Sequence, residues 1–343
     1  MTATEPRKLL VLELAGLGDG VHLLPALWRI HQRWPEAELH VMVSASVAGL
    51  FELTPWVRKV WSYPTSRPKP GLAGNWRWAK RLRAEAYDGV INTTGGDRST
   101  FLTWLTRAPR RIGRRPSDGG PPGWAMAYTQ TLDVPYWIEP MFAQKLRCAA
   151  ELGCAVAPAE LHAPHFEITL DPARRRALGI EAADERRYLH ISPFTSSPAR
   201  ELPLTQLADL IGRLSLALPN HRIVLSCPNG SRELAAFDAL LGLLPTAPWR
   251  VFRGTLDIPG LAAVIGGAAL NFSGDTGSLH VALMTGTPAV AWFRSHRGER
   301  EWIPPSGRGQ VQIAPGGAPD ALHGIDNAAL VAAAVELLGA ERA

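Results

Sequence analysis

The run Asn271-Phe272-Ser273-Gly274-Asp275-Thr276-Gly277-Ser278-Leu279-His280, with Thr287-Pro288 beyond it, reads as a buried strand end, a tight turn and a helix start. A helix start leaves backbone N–H groups unpaired and aims a positive dipole end at one place. Phosphate is the natural ligand of such a turn. A second candidate stands near the other end of the chain, in Gly16-Leu17-Gly18-Asp19-Gly20. The third glycine of a dinucleotide fingerprint would fall on Val21, so a nicotinamide or flavin enzyme is a poor reading. What remains is a turn that exposes the Asp19 carboxylate after a strand. That carboxylate is either a helix N-cap or, within reach of a substrate hydroxyl, a general base. Arg98, Arg107, Arg110, Arg111, Arg114 and Arg115 crowd one segment against Asp97 alone. They form either a solvated face or a surface for phosphate and carboxylate groups.

These residues need elements to hold them. Lys8–Leu14 is an apolar run of strand length, Val21–Arg33 has apolar residues at helical spacing, and Leu39–Val43 and Val57–Trp61 are further strand candidates. Trp76–Glu85 is a charged helix, and Gly89–Asn92 a short strand ending in Thr93-Thr94-Gly95-Gly96. Gly113–Pro122, rich in Gly, Pro, Ser and Arg, reads as a mobile loop, and Glu139–Gly153 as a helix. Pro158–Pro172 reads as a linker, which sets the boundary between a domain of residues 1–165 and one of residues 166–343. The alternation then restarts with strands at Tyr188–Ile191, Ile223–Leu225, Val251–Phe252, Ala268–Phe272 and Ala289–Phe293. Helices are expected at Leu204–Leu218, Glu233–Leu244, Ile258–Gly266, Leu279–Met284 and Asn327–Leu338, the last packing back on the first domain. Strands alternating with helices indicate α/β units with parallel sheets and ligands at the carboxyl edges.

Bulk properties narrow the class. With 343 residues, 46% hydrophobic and 20% charged, the chain can bury a sizeable core in two domains. No apolar run reaches the roughly 20 residues of a membrane span, and Met1–Lys8 lacks a signal-peptide pattern, so a cytoplasmic protein is expected. Cys148, Cys154 and Cys227 are odd in number and lack CxxC spacing, which points to buried inert thiols. Trp76, Trp78, Trp104, Trp124 and Trp137 could stack on sugars or pack in a core. No HExxH, DxD, GxxxxGK[ST] or GxSxG pattern stands out, which disfavours zinc peptidases, metal-dependent sugar transferases, P-loop kinases and serine hydrolases.

Gly18-Asp19, His22 and Leu24-Pro25-Ala26-Leu27 together resemble the opening of the ADP-heptose heptosyltransferases, glycosyltransferase family 9. Ser273–His280 with Gly286-Thr287-Pro288 is similar to that family's C-terminal motif. The resemblance is sharp at these two places and otherwise one of organisation. It implies a two-domain GT-B fold whose parallel sheets face an interdomain cleft, with acceptor on the first domain and nucleotide sugar on the second. It further implies Asp19 as the base of an inverting transfer, and Asp275, Thr276, Gly277 and His280 as donor-site residues, with His280 equally readable as an ordinary helix residue. Ser192-Pro193-Phe194-Thr195-Ser196-Ser197 and Arg200 match a hydroxyl-rich turn and a following cation, with arginine where lysine is frequent and Leu202 where tryptophan is frequent. Thr195 and Ser196 would then bind phosphate, and Arg200 would neutralise the leaving diphosphate with no metal ion and no cofactor. Glu233 stands about one residue from the family's ribose-binding acid, and is also readable as a first-turn helix acid.

The expectation is a metal-independent inverting transferase of heptose from an ADP-heptose-type donor. The expected acceptor is anionic, such as a lipopolysaccharide core precursor, bound through Gly18, His22, Arg98, Arg114 and Arg115. A basic face could also contact the anionic inner membrane surface peripherally. Nucleic acid is not an expected partner. Transfer of another nucleotide sugar to a protein or secondary metabolite, and sugar-nucleotide binding without turnover, stay open.

Overall fold

The computed structural model describes residues 5–65, 70–305, 309–314, 322 and 324–340; residues 1–4 of the N-terminal stretch lie outside them. The chain divides into two compact units, Met1–Thr169 and Leu170–Ala343.

The first unit runs β1 (Lys8–Glu13), α1 (Leu17–Arg33), β2 (Glu38–Ser44), β3 (Lys59–Tyr63), α2 (Leu72–Ala84), β4 (Gly89–Asn92), α3 (Asp97–Thr106), β5 (Arg110–Arg114), β6 (Gln130–Leu132) and α4 (Met141–Leu152). Its six parallel strands lie in the order β3-β2-β1-β4-β5-β6, with Leu9 opposite Leu39 on one side and Gly89 on the other. Parallel strands covered on both faces need continuous apolar runs, and Leu9, Leu10, Val11 and Leu12 are all buried. The helix α1 begins at Leu17, not at Val21, with Gly16 as its N-cap. Gly18 and Asp19 therefore sit in the first helical turn rather than in a loop, and Asp19 is not the cap. Gly20 lets α1 approach the chain after β2, since a Cβ there would come within 2.6 Å of Val47 Cγ1. The stretch read as a mobile loop from Gly113 is in part β5, because Ile112, Gly113 and Arg114 pair with Gln130, Thr131 and Leu132.

The second unit runs α5 (Pro172–Ala177), β7 (Tyr188–Ser192), α6 (Leu204–Ala217), β8 (Arg222–Cys227), α7 (Ser231–Leu243), β9 (Arg250–Arg253), α8 (Ile258–Gly267), β10 (Leu270–Gly274), α9 (Gly277–Thr285), β11 (Ala289–Arg294), β12 (Gly309–Ala314) and α10 (Asn327–Ala340). Its six parallel strands follow the order β12-β11-β10-β7-β8-β9, the same winding as in the first unit. The apolar face of α10 (Leu330, Ala334, Leu338) closes the second unit's core with Leu207, Leu210 and Leu214 of α6, so that face is already used there. Cys148, Cys154 and Cys227 are buried free thiols, as expected. No described helix is long and apolar enough to cross a membrane.

Candidate active site

In each unit the winding reverses between the first and fourth strands, β1 and β4 in one and β7 and β10 in the other. Open α/β sheets bind ligands beyond the carboxyl ends of the strands at such a reversal. Asp19, Arg98, Thr195, Ser196, Arg200, Asp275, Thr276 and Gly277 follow these four strand ends.

In the first unit, β1 ends on Glu13, whose carboxylate is enclosed: its Oε2 accepts from Thr93 Oγ1 at 2.6 Å and from Lys145 Nζ at 2.6 Å, and its Oε1 from Thr94 Oγ1 at 2.9 Å. Burial alone would raise the Glu13 pKa, but the Lys145 charge and the Lys145 and Thr93 hydrogen bonds prevail and hold it at about 2. Lys145, from α4, also donates to the Asp19 carbonyl at 2.8 Å and stands 3.6 Å from Asp19 Oδ1. The Asp19 side chain keeps 21% exposure. Burial pushes its pKa above the ordinary carboxylate value; the Lys145 charge opposes this, Glu13 reinforces it, and Arg114 and a Gly16 backbone hydrogen bond oppose it again. A partly accessible carboxylate with raised basicity suits a proton acceptor.

In the second unit, the turn after β10 carries Asp275, Thr276 and Gly277 into α9. Thr276 is the N-cap in an extended conformation and makes no side-chain cap bond, so the first N–H groups of α9 stay available. The Ser278 hydroxyl in that turn is buried and has no hydrogen-bond partner among the described residues. Asp275 is buried and takes Arg200 Nη1 at 3.1 Å. Burial raises its pKa, against the charges of Arg200 and then His296. Gly274 permits this junction, because a Cβ there would lie 2.8 Å from the Arg200 carbonyl and 2.9 Å from Trp292 Nε1. The turn after β7 is braced from within. Thr195 N–H donates to Glu201 Oε1 at 2.7 Å, Thr195 Oγ1 donates to the Ser197 carbonyl at 2.7 Å, and Arg232 donates to the Thr195 carbonyl at 2.5 Å.

The remaining sequence candidates scatter. Thr195 is buried and its hydroxyl shapes its own turn, whereas Ser196 is exposed. His280 is buried on α9 beside Trp302, and burial lowers its pKa to about 4, so it is neutral at pH 7. Glu233 pairs with Arg232 at 2.8 Å and folds back over Gly230. His22 is buried, stacked on Phe142 at 5.9 Å between ring centroids, so it packs α1 on α4. The arginine cluster is not one free face, because strand alternation and the adjoining turns send its members to different partners. Arg110 donates to the Leu152 and Glu151 carbonyls, Arg111 to those of Ala127 and Ala108, and Arg115 pairs with Asp133. Arg98 lies 5.9 Å from the Tyr63 ring centroid, and buried Arg114 donates to Gln144 Oε1 at 2.9 Å. The tryptophans divide too: Trp124 is core, Trp78 packs on Trp61 and Tyr63, and Trp76 and Trp104 are exposed. Sequence reading missed Glu13, Lys145, Glu201 and Arg232. A signal existed for one of them, since Lys145 interrupts the apolar stripe Met141, Phe142, Ala149, Leu152 of α4, and a charge on such a stripe needs a buried partner.

The sequence signature of glycosyltransferase family 9 (heptosyltransferase) matches residues 75–315. The chain belongs to that family and is a glycosyltransferase. The matched span contains the β10–α9 turn and Arg200 but begins after Asp19. Among curated proteins, the chain is 23% identical over 295 residues to the lipopolysaccharide core heptosyltransferase OpsX of Haemophilus influenzae, covering 85% of this chain and 80% of that protein. Among solved structures, it is similar to a family 9 glycosyltransferase from Veillonella parvula, with TM-score 0.80 at 18% identity, covering 97% of each chain. It is also similar to the E. coli ADP-heptose lipopolysaccharide heptosyltransferase II, with TM-score 0.79 at 20% identity, covering 98% of this chain and all of that one. The two six-stranded units are thus those of a GT-B glycosyltransferase.

Proposed function

We propose that this glycosyltransferase moves a heptose from an ADP-heptose-type donor to an anionic acceptor such as a lipopolysaccharide core precursor, with inversion and without a metal ion. The observation that carries the reading is the β10–α9 turn, where free helix N–H groups, the buried Ser278 hydroxyl and an Arg200 held by Asp275 form a diphosphate cradle. The names of the family and of the E. coli structure supply the sugar class. In the reaction, an acceptor hydroxyl oxygen attacks the anomeric carbon opposite the diphosphate. The bond from that carbon to the diphosphate oxygen breaks, its electron pair leaves with the nucleotide, and the hydroxyl proton passes to Asp19. Arg200 and the α9 N–H groups stabilise the charge that grows on the leaving group. Thr276, Gly277 and the exposed Ser196 line the phosphate side, and Glu233 reaches a ribose only by leaving Arg232. The acceptor's anionic groups fall to Arg98 and to Arg115, which exchanges Asp133 for them, while buried Arg114 stays on Gln144. Peripheral contact with an anionic leaflet belongs to this reading.

Asp19→Ala should lose transfer by a factor of about 10² to 10⁴, while ADP binding measured by calorimetry stays intact. Turnover close to that of the parent enzyme would sink the base assignment. Binding of UDP sugars but not ADP sugars would remove the donor assignment.

A further inference from the structure

The Asp19 assignment accounts for one carboxylate, and the first unit holds two more charged side chains against it. The Lys145 side chain is 0% exposed and that of Glu13 is 1% exposed. A cation and an anion withdrawn this completely from water cost several kcal/mol each before they pair, and a plain core would do without them. Their contacts are not those of an isolated pair. Lys145 Nζ divides its hydrogen bonds between Glu13 Oε2 at 2.6 Å and the Asp19 main-chain carbonyl at 2.8 Å, and lies 3.6 Å from the Asp19 carboxylate. Glu13 is fixed in turn by Thr93 and Thr94 at the end of β4.

Resting on the Asp19 reading, we infer that Lys145 is the positioning residue of the transferase: it pins the first turn of α1 through the Asp19 carbonyl, and with Glu13 it sets the pH at which Asp19 accepts a proton. The charged groups facing Asp19 are Lys145 from α4, Glu13 from β1 and Arg114 from β5. Cys148, further along α4, is held neutral, its thiol pushed up to about 11 by burial. The Lys145 charge lowers the Asp19 pKa and outweighs Glu13, which raises it. Removing either therefore displaces the acid limb of the kcat profile, and in opposite directions.

The test is the pH dependence of kcat, with donor binding by calorimetry and folding by circular dichroism followed in parallel. In Lys145→Met the acid limb moves to higher pH, so that kcat at a fixed pH on that limb falls roughly tenfold or more and recovers as pH rises. In Glu13→Gln it moves to lower pH. Because each single variant leaves a buried charge without its partner, Glu13→Gln/Lys145→Met supplies a charge-free site that keeps the fold. Its acid limb lies above that of the parent enzyme and below that of Lys145→Met. The donor Kd stays constant throughout. An acid limb that does not move in the folded double variant overturns the inference, as does a shift of both single variants in one direction. Asp19→Asn separates the two claims. If it still turns over, the base assignment fails; if it is inactive while the acid limb ignores Lys145 and Glu13, only the positioning role fails.

Discussion

At the scale of single residues, the β10–α9 turn proposed to hold the diphosphate depends on small groups with no room to grow. A Cβ on Gly274 meets the Arg200 main chain, which is backbone and cannot swing aside. Gly274→Ala should therefore cost about 1–3 kcal/mol and push Arg200 off Asp275. The expected readout is a weakened ADP Kd in calorimetry together with a lower Tm. Ser278→Ala should behave differently. Its hydroxyl is buried without a partner among the described residues, so losing it costs the fold nothing and relieves an unmet group. The same change should weaken ADP binding by about 1 kcal/mol, close to fivefold. An unchanged ADP Kd with unchanged Tm would show that the hydroxyl does not serve the nucleotide. Of these features, the turn's residue types were legible in the chain order, since Asp, Thr and Gly at a strand-to-helix junction carry their own signature. The Arg200–Asp275 pair was not, because it joins residues 75 positions apart and depends on β7 lying beside β10.

Elements set which of these groups can titrate. Glu13 closes β1 inside the protein, and its folded pKa of about 2 lies below the ordinary 4.5. A lowered carboxylate pKa gives stability that is complete above the ordinary value and is lost as pH falls through the folded one. The first unit should therefore lose stability between pH 4.5 and about 2 through this residue. Glu13→Gln should be less stable than the parent by about 3–5 kcal/mol at pH 7, because buried Lys145 then loses its nearest carboxylate and keeps only Asp19. The gap should narrow as the pH approaches 2. Urea midpoints across that range check both statements, and a constant gap would contradict them. The strands themselves were readable where they are apolar, as in β1, β7 and β10. The strands β5, β6 and β12 were not, since Arg110–Arg114 carries three arginines and Gln130–Leu132 has only three residues. Such edge-side segments become strands because a neighbouring strand offers its hydrogen bonds, not through any periodicity of their own.

For the whole molecule, two units with the same strand order each close a core of their own, one around Leu10, Leu12 and Val90 and the other around Leu189, Phe272 and Leu207. Units of this kind fold separately. A fragment of residues 170–343 should fold and bind ADP with an affinity near that of the full chain, while one of residues 1–169 should fold without binding ADP. Circular dichroism and calorimetry on the two fragments test this. Failure of the second fragment to bind would move the donor site out of the β10–α9 turn.

The sequence by itself determined the α/β class, the doubled alternation of strand and helix, and the β10–α9 turn, and it marked Asp19, though as part of a turn and not of α1. Those are local properties: apolar runs make buried strands, and Gly, Asp and Thr at a strand's end make a turn with free N–H groups. Only the tertiary structure decided that Asp19 lies in the first turn of α1 over a buried Lys145 and Glu13, that Asp275 holds Arg200, and that Thr195, His22 and His280 are enclosed by protein. Glu13 and Lys145 are 132 residues apart, and nothing local selects either for the other. A charge finds its partner through the winding of the sheet, and burial, which raises or lowers each pKa, exists only once the chain has closed around it.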